Sequence, residues 1–131
     1  DPLLREPALV FLEQVGLAER ADIVAGQLSH GEHRQLEIAM ALATRPKMLL
    51  LDEPMAGMGP EESKAMVAIL QGLKRKLTIL LIEHDMDVVF TLADQITVLV
   101  YGRGIATDAP KAIRNHPEVQ AAYLGEEEVS A

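Results

Sequence analysis

Apolar residues recur at helical spacing over 7–15, where Ala8, Phe11, Leu12 and Val15 fall on one stripe and Gly16 closes the segment. A second short helical stretch is expected over 18–25. Gly26-Gln27-Leu28 leads into Ser29-His30-Gly31-Glu32, and a long helical pattern follows to about Thr44, with Leu36, Ala39, Met40 and Ala43 among its apolar positions and Arg45-Pro46 as the stop. The pattern then changes period. Met48-Leu49-Leu50-Leu51 is a continuous apolar run ending in Asp52-Glu53-Pro54, which reads as a fully buried strand of a parallel sheet. Pro60 suits the first turn of a helix, Glu61 and Glu62 sit near its positive end, and Met66, Ile69, Leu70 and Leu73 form its stripe. A second buried strand is expected over 77–82, ending at Glu83-His84-Asp85, then a short helix over 86–92. A third strand follows over 95–101, and Gly102-Arg103-Gly104 turns into a fourth short one near Ile105. Two short helices, near 110–115 and 117–124, precede Glu126-Glu127-Glu128, read as a frayed, solvated end. The second half therefore alternates strand and helix, which implies an α/β fold with a mostly parallel sheet flanked by helices.

Composition narrows the classes. With 131 residues there is room for one domain or part of one. Aromatic residues make up only 3%, so the core has to be built from Leu, Ile, Val, Ala and Met. Twenty acidic side chains against 12 basic ones give a formal net charge of −8, with Lys and Arg scattered. That argues against gripping a nucleic-acid backbone, which takes a basic face. There is no Cys, hence no disulfide, thiolate metal site or cysteine nucleophile. No apolar run approaches the roughly 20 residues needed to span a bilayer. The opening residues carry neither the basic nor the apolar region of a signal peptide. The lack of an initiator Met is what a processed chain, or one cut from something longer, would show.

Three local patterns could carry chemistry, and each has a plain structural reading beside it. Asp52 and Glu53 lie at the carboxyl end of a strand, where α/β sheets bind ligands. Asp52 could hold Mg²⁺, a hard cation that keeps most of its waters, while Glu53 orients or deprotonates an attacking water. The plain reading is two solvated acids. Ser29 with Glu32 three residues on is a capping box. The same helix end could receive an anion, because Gly31 allows close backbone approach and Ser29 adds a hydroxyl. His84 closes the next strand. It is either a surface residue or, if the strands are parallel neighbours, a group on the same sheet edge as Asp52 and Glu53, able to touch a phosphate or position the water. His30, His33 and His116 have no comparable placement.

Taken together, a helix-opening Ser-x-Gly, a strand ending in Asp-Glu and a strand ending in His resemble the layout of the ATP-binding-cassette (ABC) ATPases. Leu28-Ser29-His30-Gly31-Glu32 resembles that family's signature motif, usually Leu-Ser-Gly-Gly-Gln, and 34–42 its signature helix. Met48–Glu53 looks like the Walker B strand, with Pro54 following as in the family. Residues 55–59 occupy the D-loop, and His84 matches the switch histidine. The signature with Glu32, the segment 52–62 and the ending from His116-Pro117-Glu118-Val119 to Ala122-Tyr123-Leu124-Gly125-Glu126 are similar to the ATPase subunits of branched-chain amino-acid importers.

The resemblance implies a partial P-loop NTPase fold with three segments. Residues 1–46 would be part of the helical signature subdomain, 47–109 the C-terminal part of the RecA-like core, and 110–131 a helical tail. It implies ATP and Mg²⁺ as ligands, with Glu53 and His84 catalytic and Asp52 on the metal through water. Ser29, Gly31 and Glu32 would act in trans on a partner's nucleotide, and Gly59 would hold the D-loop position. The implied partners are a second ATPase subunit and transmembrane permease subunits, at the inner face of the cell membrane, with no nucleic acid. A soluble ABC ATPase acting on nucleic acid or ribosomes, or a non-catalytic ABC fragment, are the competing readings; the acidic balance and importer-like tail argue against the former. No Gly-x-x-x-x-Gly-Lys-[Ser/Thr] occurs in the chain. In the family that loop lies upstream, so the resemblance covers the C-terminal half of a nucleotide-binding domain. The expectation is that this chain alone binds ATP·Mg²⁺ weakly or not at all, does not hydrolyse it, and self-associates through an uncovered sheet. Two positions depart from the family pattern. His30 stands where Gly is usual and must point away from the nucleotide, and Gly59 stands where the D-loop Asp is usual.

Overall fold

A computed structural model describes residues 1–124. The chain forms two compact units that meet in sequence after His84, between the expected boundaries at 46/47 and 109/110. Residues 125–131, including Glu126–Glu128, lie outside the described residues.

The first unit starts with α1 (Pro2–Gln14). This helix begins five residues before the position that periodicity suggests. Asp1 caps it by accepting from the Leu3 amide, and Pro2 occupies the first turn. Pro7, which the sequence pattern makes a helix start, lies inside. The stretch expected over 18–25 is two single 3₁₀ turns, Ala18–Arg20 and Ala25–Gln27, because neither has a side-chain cap or enough apolar periodicity to extend. Next, α2 (His30–Ala43) is opened by Ser29 and buries Ile38, Ala39 and Leu42, spaced for one face. It ends at Thr44, whose hydroxyl donates to the Ala41 carbonyl, and Arg45 takes a left-handed φ of 55° before Pro46.

The chain then makes a β-α-β unit. Strand β1 (Met48–Asp52) and strand β2 (Thr78–Ile82) pair in parallel, Leu50 opposite Leu80 and Asp52 opposite Ile82. The crossover is α3 (Pro60–Leu73), as parallel pairing requires. Met66, Leu70 and Leu73 are buried on α3, each contributing about 1.5–3 kcal/mol.

The strands are not fully buried, contrary to the reading of their continuous apolar runs. Leu49, Leu51, Ile79 and Leu81 face inward. Met48, Leu50, Leu80 and Ile82 face outward and are 49–67% exposed. A run of apolar residues shows that both faces can be covered; in this chain only one is.

The second unit contains α4 (Met86–Leu92), capped by Asp85, and an antiparallel hairpin of β3 (Ile96–Val100) and β4 (Arg103–Asp108). Its two-residue turn puts both Tyr101 (φ 48°) and Gly102 (φ 77°) in the left-handed region, as a type I′ turn demands. These strands form their own ladder, separate from β1–β2. Helices α5 (Pro110–Arg114) and α6 (Pro117–Val119) follow, the latter passing into a wider π turn over 120–124. Ile96, Val98, Ile113 and Val119 form the core here, and the Arg114 guanidinium lies 4.4 Å over the Phe90 ring. No helix among the described residues is long and apolar enough to cross a membrane.

Candidate functional site

The ends of β1 and β2 bring Glu53 and His84 into contact. In a strand the side chains alternate, so Glu53 would follow Leu49 and Leu51 inward, whereas His84 follows Leu80 and Ile82 outward. The alternation is broken at one residue. Glu53 has φ 47°, a conformation that non-glycine residues rarely adopt. Its amide still donates to the Ile82 carbonyl at 2.7 Å, which ties the turn to β2. Its carboxylate is half-exposed, and its Oε1 meets His84 Nδ1 at 2.9 Å. A carboxylate only accepts, so the imidazole donates from Nδ1. Backbone strain next to a strand end is a common property of functional turns, and the strain here aims an acid at an exposed histidine.

Asp52 is the last residue of β1, exposed at the same sheet edge. No group of three or more His, Asp or Glu capable of enclosing a metal ion exists among the described residues. One exposed carboxylate at a strand end nevertheless fits Mg²⁺, which takes one or two carboxylates and fills its other positions with water and phosphate oxygens.

At the start of α2 the capping box is fully formed. Ser29 Oγ accepts from the Glu32 amide at 3.2 Å, and Glu32 Oε1 accepts from the Ser29 amide at 3.0 Å. Glu32 Oε2 also meets Arg20 Nε at 2.9 Å. The hydrogen bond from the Ser29 amide, helped by Arg20, holds the Glu32 carboxyl below its ordinary range. The box engages the amides of Ser29 and Glu32. His30 and Gly31 are the other first-turn residues, whose amides have no carbonyl one helical turn back within the helix. Gly31 is buried, and a Cβ there would come within 3.1 Å of the Glu62 carboxyl from α3. The space beside the Gly31 Cα is therefore occupied by the flexible end of an acidic side chain, which favours glycine at this position.

His30 turns away from that helix end. Its Nε2 lies 3.0 Å from the Ala56 carbonyl, and it packs over Gly57, where a Cβ would be 3.1 Å from the same nitrogen. Gly59 is extended (φ −74°, ψ 172°) and precedes α3 without a side-chain cap; nothing lies within 4 Å of where its Cβ would be.

One residue of the site escaped the sequence reading. Glu83 continues the inward parity of Ile79 and Leu81, and its side chain is only 2% exposed. Its Oε1 accepts from the His84 amide at 3.1 Å and lies 3.6 Å from His84 Nδ1. The signal was present in the sequence: an acid on the apolar parity of a strand.

Comparison with known proteins fits this arrangement. Residues 5–56 match the family model described as ABC transporter, and 105–129 match that described as branched-chain amino acid ATP-binding cassette transporter. The high-affinity branched-chain amino acid transport ATP-binding protein BraF of Pseudomonas aeruginosa is 45% identical over 123 residues, 92% of this chain and 48% of the relative. LivG of Escherichia coli, with the same description, is 45% identical over 121 residues, 91% of this chain and 48% of its own length. The methionine import ATP-binding protein MetN 3 of Pectobacterium atrosepticum is 40% identical over 114 residues, 86% and 33%. Among solved structures, an ATP-binding cassette of an ABC transporter in its ADP conformation superposes with a TM-score of 0.79 at 36% identity, covering 92% of this chain and 49% of that one. The chain spans about half the length of the branched-chain amino-acid transport relatives it matches.

Proposed function

Because the chain belongs to the ABC family of transporter ATPases, we propose that it forms the signature, Walker B and switch-histidine part of the ATP-hydrolysing motor subunit of an importer for branched-chain amino acids. The observation that carries the reading is the 2.9 Å contact between Glu53 and His84, formed beside Asp52 at the ends of two adjacent parallel strands. An exposed base and an oriented imidazole at one sheet edge suit activation of water for attack on a phosphoryl group.

In this reading Glu53 takes the proton of the attacking water on its carboxylate as the water's oxygen bonds to the γ-phosphorus. The bond from that phosphorus to the bridging oxygen breaks, and ADP leaves. His84 donates from Nδ1 to Glu53 and so fixes the direction of the carboxylate. Asp52 would hold Mg²⁺ through water, and the ion supplies charge neutralisation on the phosphates. Ser29, Gly31 and Glu32 act from the opposite subunit, the start of α2 approaching the partner's nucleotide. The 131 residues contain no phosphate-cradling Gly-x-x-x-x-Gly-Lys-[Ser/Thr], so this chain by itself is expected to be inactive. The partners are a second ATPase subunit and membrane-embedded permeases, which place the protein on the inner face of the membrane.

The test is ATP turnover by the full-length protein with its permeases. Glu53→Gln should cut kcat at least about a hundredfold while ATP still binds. Uptake of leucine, isoleucine and valine, with methionine as control, reads the solute. Undiminished turnover in Glu53→Gln, or uptake of methionine alone, would overturn the corresponding half of the reading.

A further inference from the structure

Glu83 is a buried acid beside the site, and the mechanism above leaves it without a task. One oxygen, Oε1, is engaged by the His84 amide at 3.1 Å. The other, Oε2, is buried and has no hydrogen-bond partner among the described residues. An unpartnered buried carboxylate oxygen is a cost to folding, and such costs are concentrated where a residue serves function. The nearest titratable neighbour explains what it serves. His84 Nδ1 lies 2.9 Å from Glu53 Oε1 and 3.6 Å from Glu83 Oε1. The ring nitrogen thus faces two carboxylates, one as a hydrogen-bond acceptor and the other as a close negative charge. Which nitrogen of an imidazole carries the proton is set by such neighbours. Both oxygens favour a proton on Nδ1.

We propose that Glu83 is a positioning residue: it anchors the His84 backbone and, with Glu53, holds the ring in the Nδ1–H tautomer, so that His84 donates to Glu53 in every turnover. The proposal rests on the hydrolytic reading above and extends it from two residues to three. Glu83 touches no reacting atom and acts only through His84.

The experiment uses the full-length protein labelled with ¹⁵N in its histidine rings, comparing wild type with Glu83→Gln and Glu83→Leu. Glu83→Gln keeps an oxygen for the His84 amide but removes the charge; Glu83→Leu removes both and keeps an apolar side chain at a buried position. The expected result is a fall in the Nδ1–H population of His84 in both variants. With it should come a roughly tenfold fall in kcat, an unchanged KM for ATP and a melting temperature no lower than that of wild type. A purely structural Glu83 would instead lower the melting temperature and leave the tautomer alone. An unmoved tautomer in both variants overturns the proposal, and so does a moved tautomer with unchanged kcat. If wild type itself turns over no ATP, the hydrolytic reading fails, and the ring nitrogen spectra alone decide whether Glu83 controls His84.

Discussion

Glu53 shows how much one backbone angle does. At φ 47° it leaves the alternation of β1, and its carboxylate emerges half-exposed next to His84. A left-handed non-glycine residue costs of order 1 kcal/mol, held in place here by the 2.7 Å bond from the Glu53 amide to the Ile82 carbonyl. Glycine adopts this angle freely, whereas a β-branched side chain resists it. Glu53→Gly is therefore expected to melt no lower than the native protein, and Glu53→Val to lose about 1–2 kcal/mol in chemical denaturation, both being inactive. A Glu53→Val variant as stable as Glu53→Gly would show that the turn carries no strain. Glu53 and His84 are legible from sequence because they lie one and two residues past the ends of β1 and β2, and strand ends are where α/β sheets place ligands. Glu83 is not, because the run 77–82 is a continuous apolar block whose pattern does not distinguish one face from the other. Only the one-sided burial of β2 makes its parity meaningful.

Between elements, the informative contact is His30 on the loop after β1. Residues 26 apart in sequence are joined by the 3.0 Å approach of His30 Nε2 to the Ala56 carbonyl, and Gly57 lies under the ring with φ 77°. Two separate reasons thus favour glycine at 57: the angle, and the 3.1 Å that would separate a Cβ from the imidazole. Gly57→Ala should cost about 1–2 kcal/mol, and a double-mutant cycle with His30→Ala separates the two reasons. In the His30→Ala background the steric part vanishes and the angular part remains, so a coupling of at least about 0.5 kcal/mol is expected. Additive losses would mean that the ring gives way freely. The family resemblance implies only that a side chain at His30 has to avoid the nucleotide; it does not reveal the Ala56 acceptor, because a carbonyl contact is independent of the acceptor's side-chain identity. Helices α2 and α3 were legible at their starts because Ser29 and Pro60 mark them chemically. The start of α1 was not, since Pro7 suits a first turn far better than the interior position it actually holds.

At the scale of the whole chain, the outward face of β1 and β2 decides the behaviour in solution. Met48, Leu50, Leu80 and Ile82 are 49%, 67%, 50% and 56% exposed, and they lie together because Leu50 pairs with Leu80 and Met48 with Thr78. The sheet has two strands, so each strand also offers an edge with no strand paired to it among the described residues. Parallel sheets are normally covered on both faces, and a two-stranded pair is marginal without such cover. A net charge of −8 opposes association at long range, and the exposed Asp52 sits opposite Ile82 at one end of this face, but Leu50 and Leu80 pair directly at its centre. The 131-residue chain should therefore self-associate, with an average mass that rises with concentration in light scattering. Because Leu50 and Leu80 are largely solvent-exposed in the single chain, Leu50→Lys with Leu80→Lys should leave the fold intact. Burying a leucine contributes about 1.5–3 kcal/mol, and 1.4 kcal/mol is tenfold in an equilibrium constant. The double substitution is thus expected to weaken association at least about tenfold while the circular dichroism spectrum stays the same. A native chain that stays monomeric from micromolar to millimolar concentration would mean that charge repulsion outweighs the apolar strip.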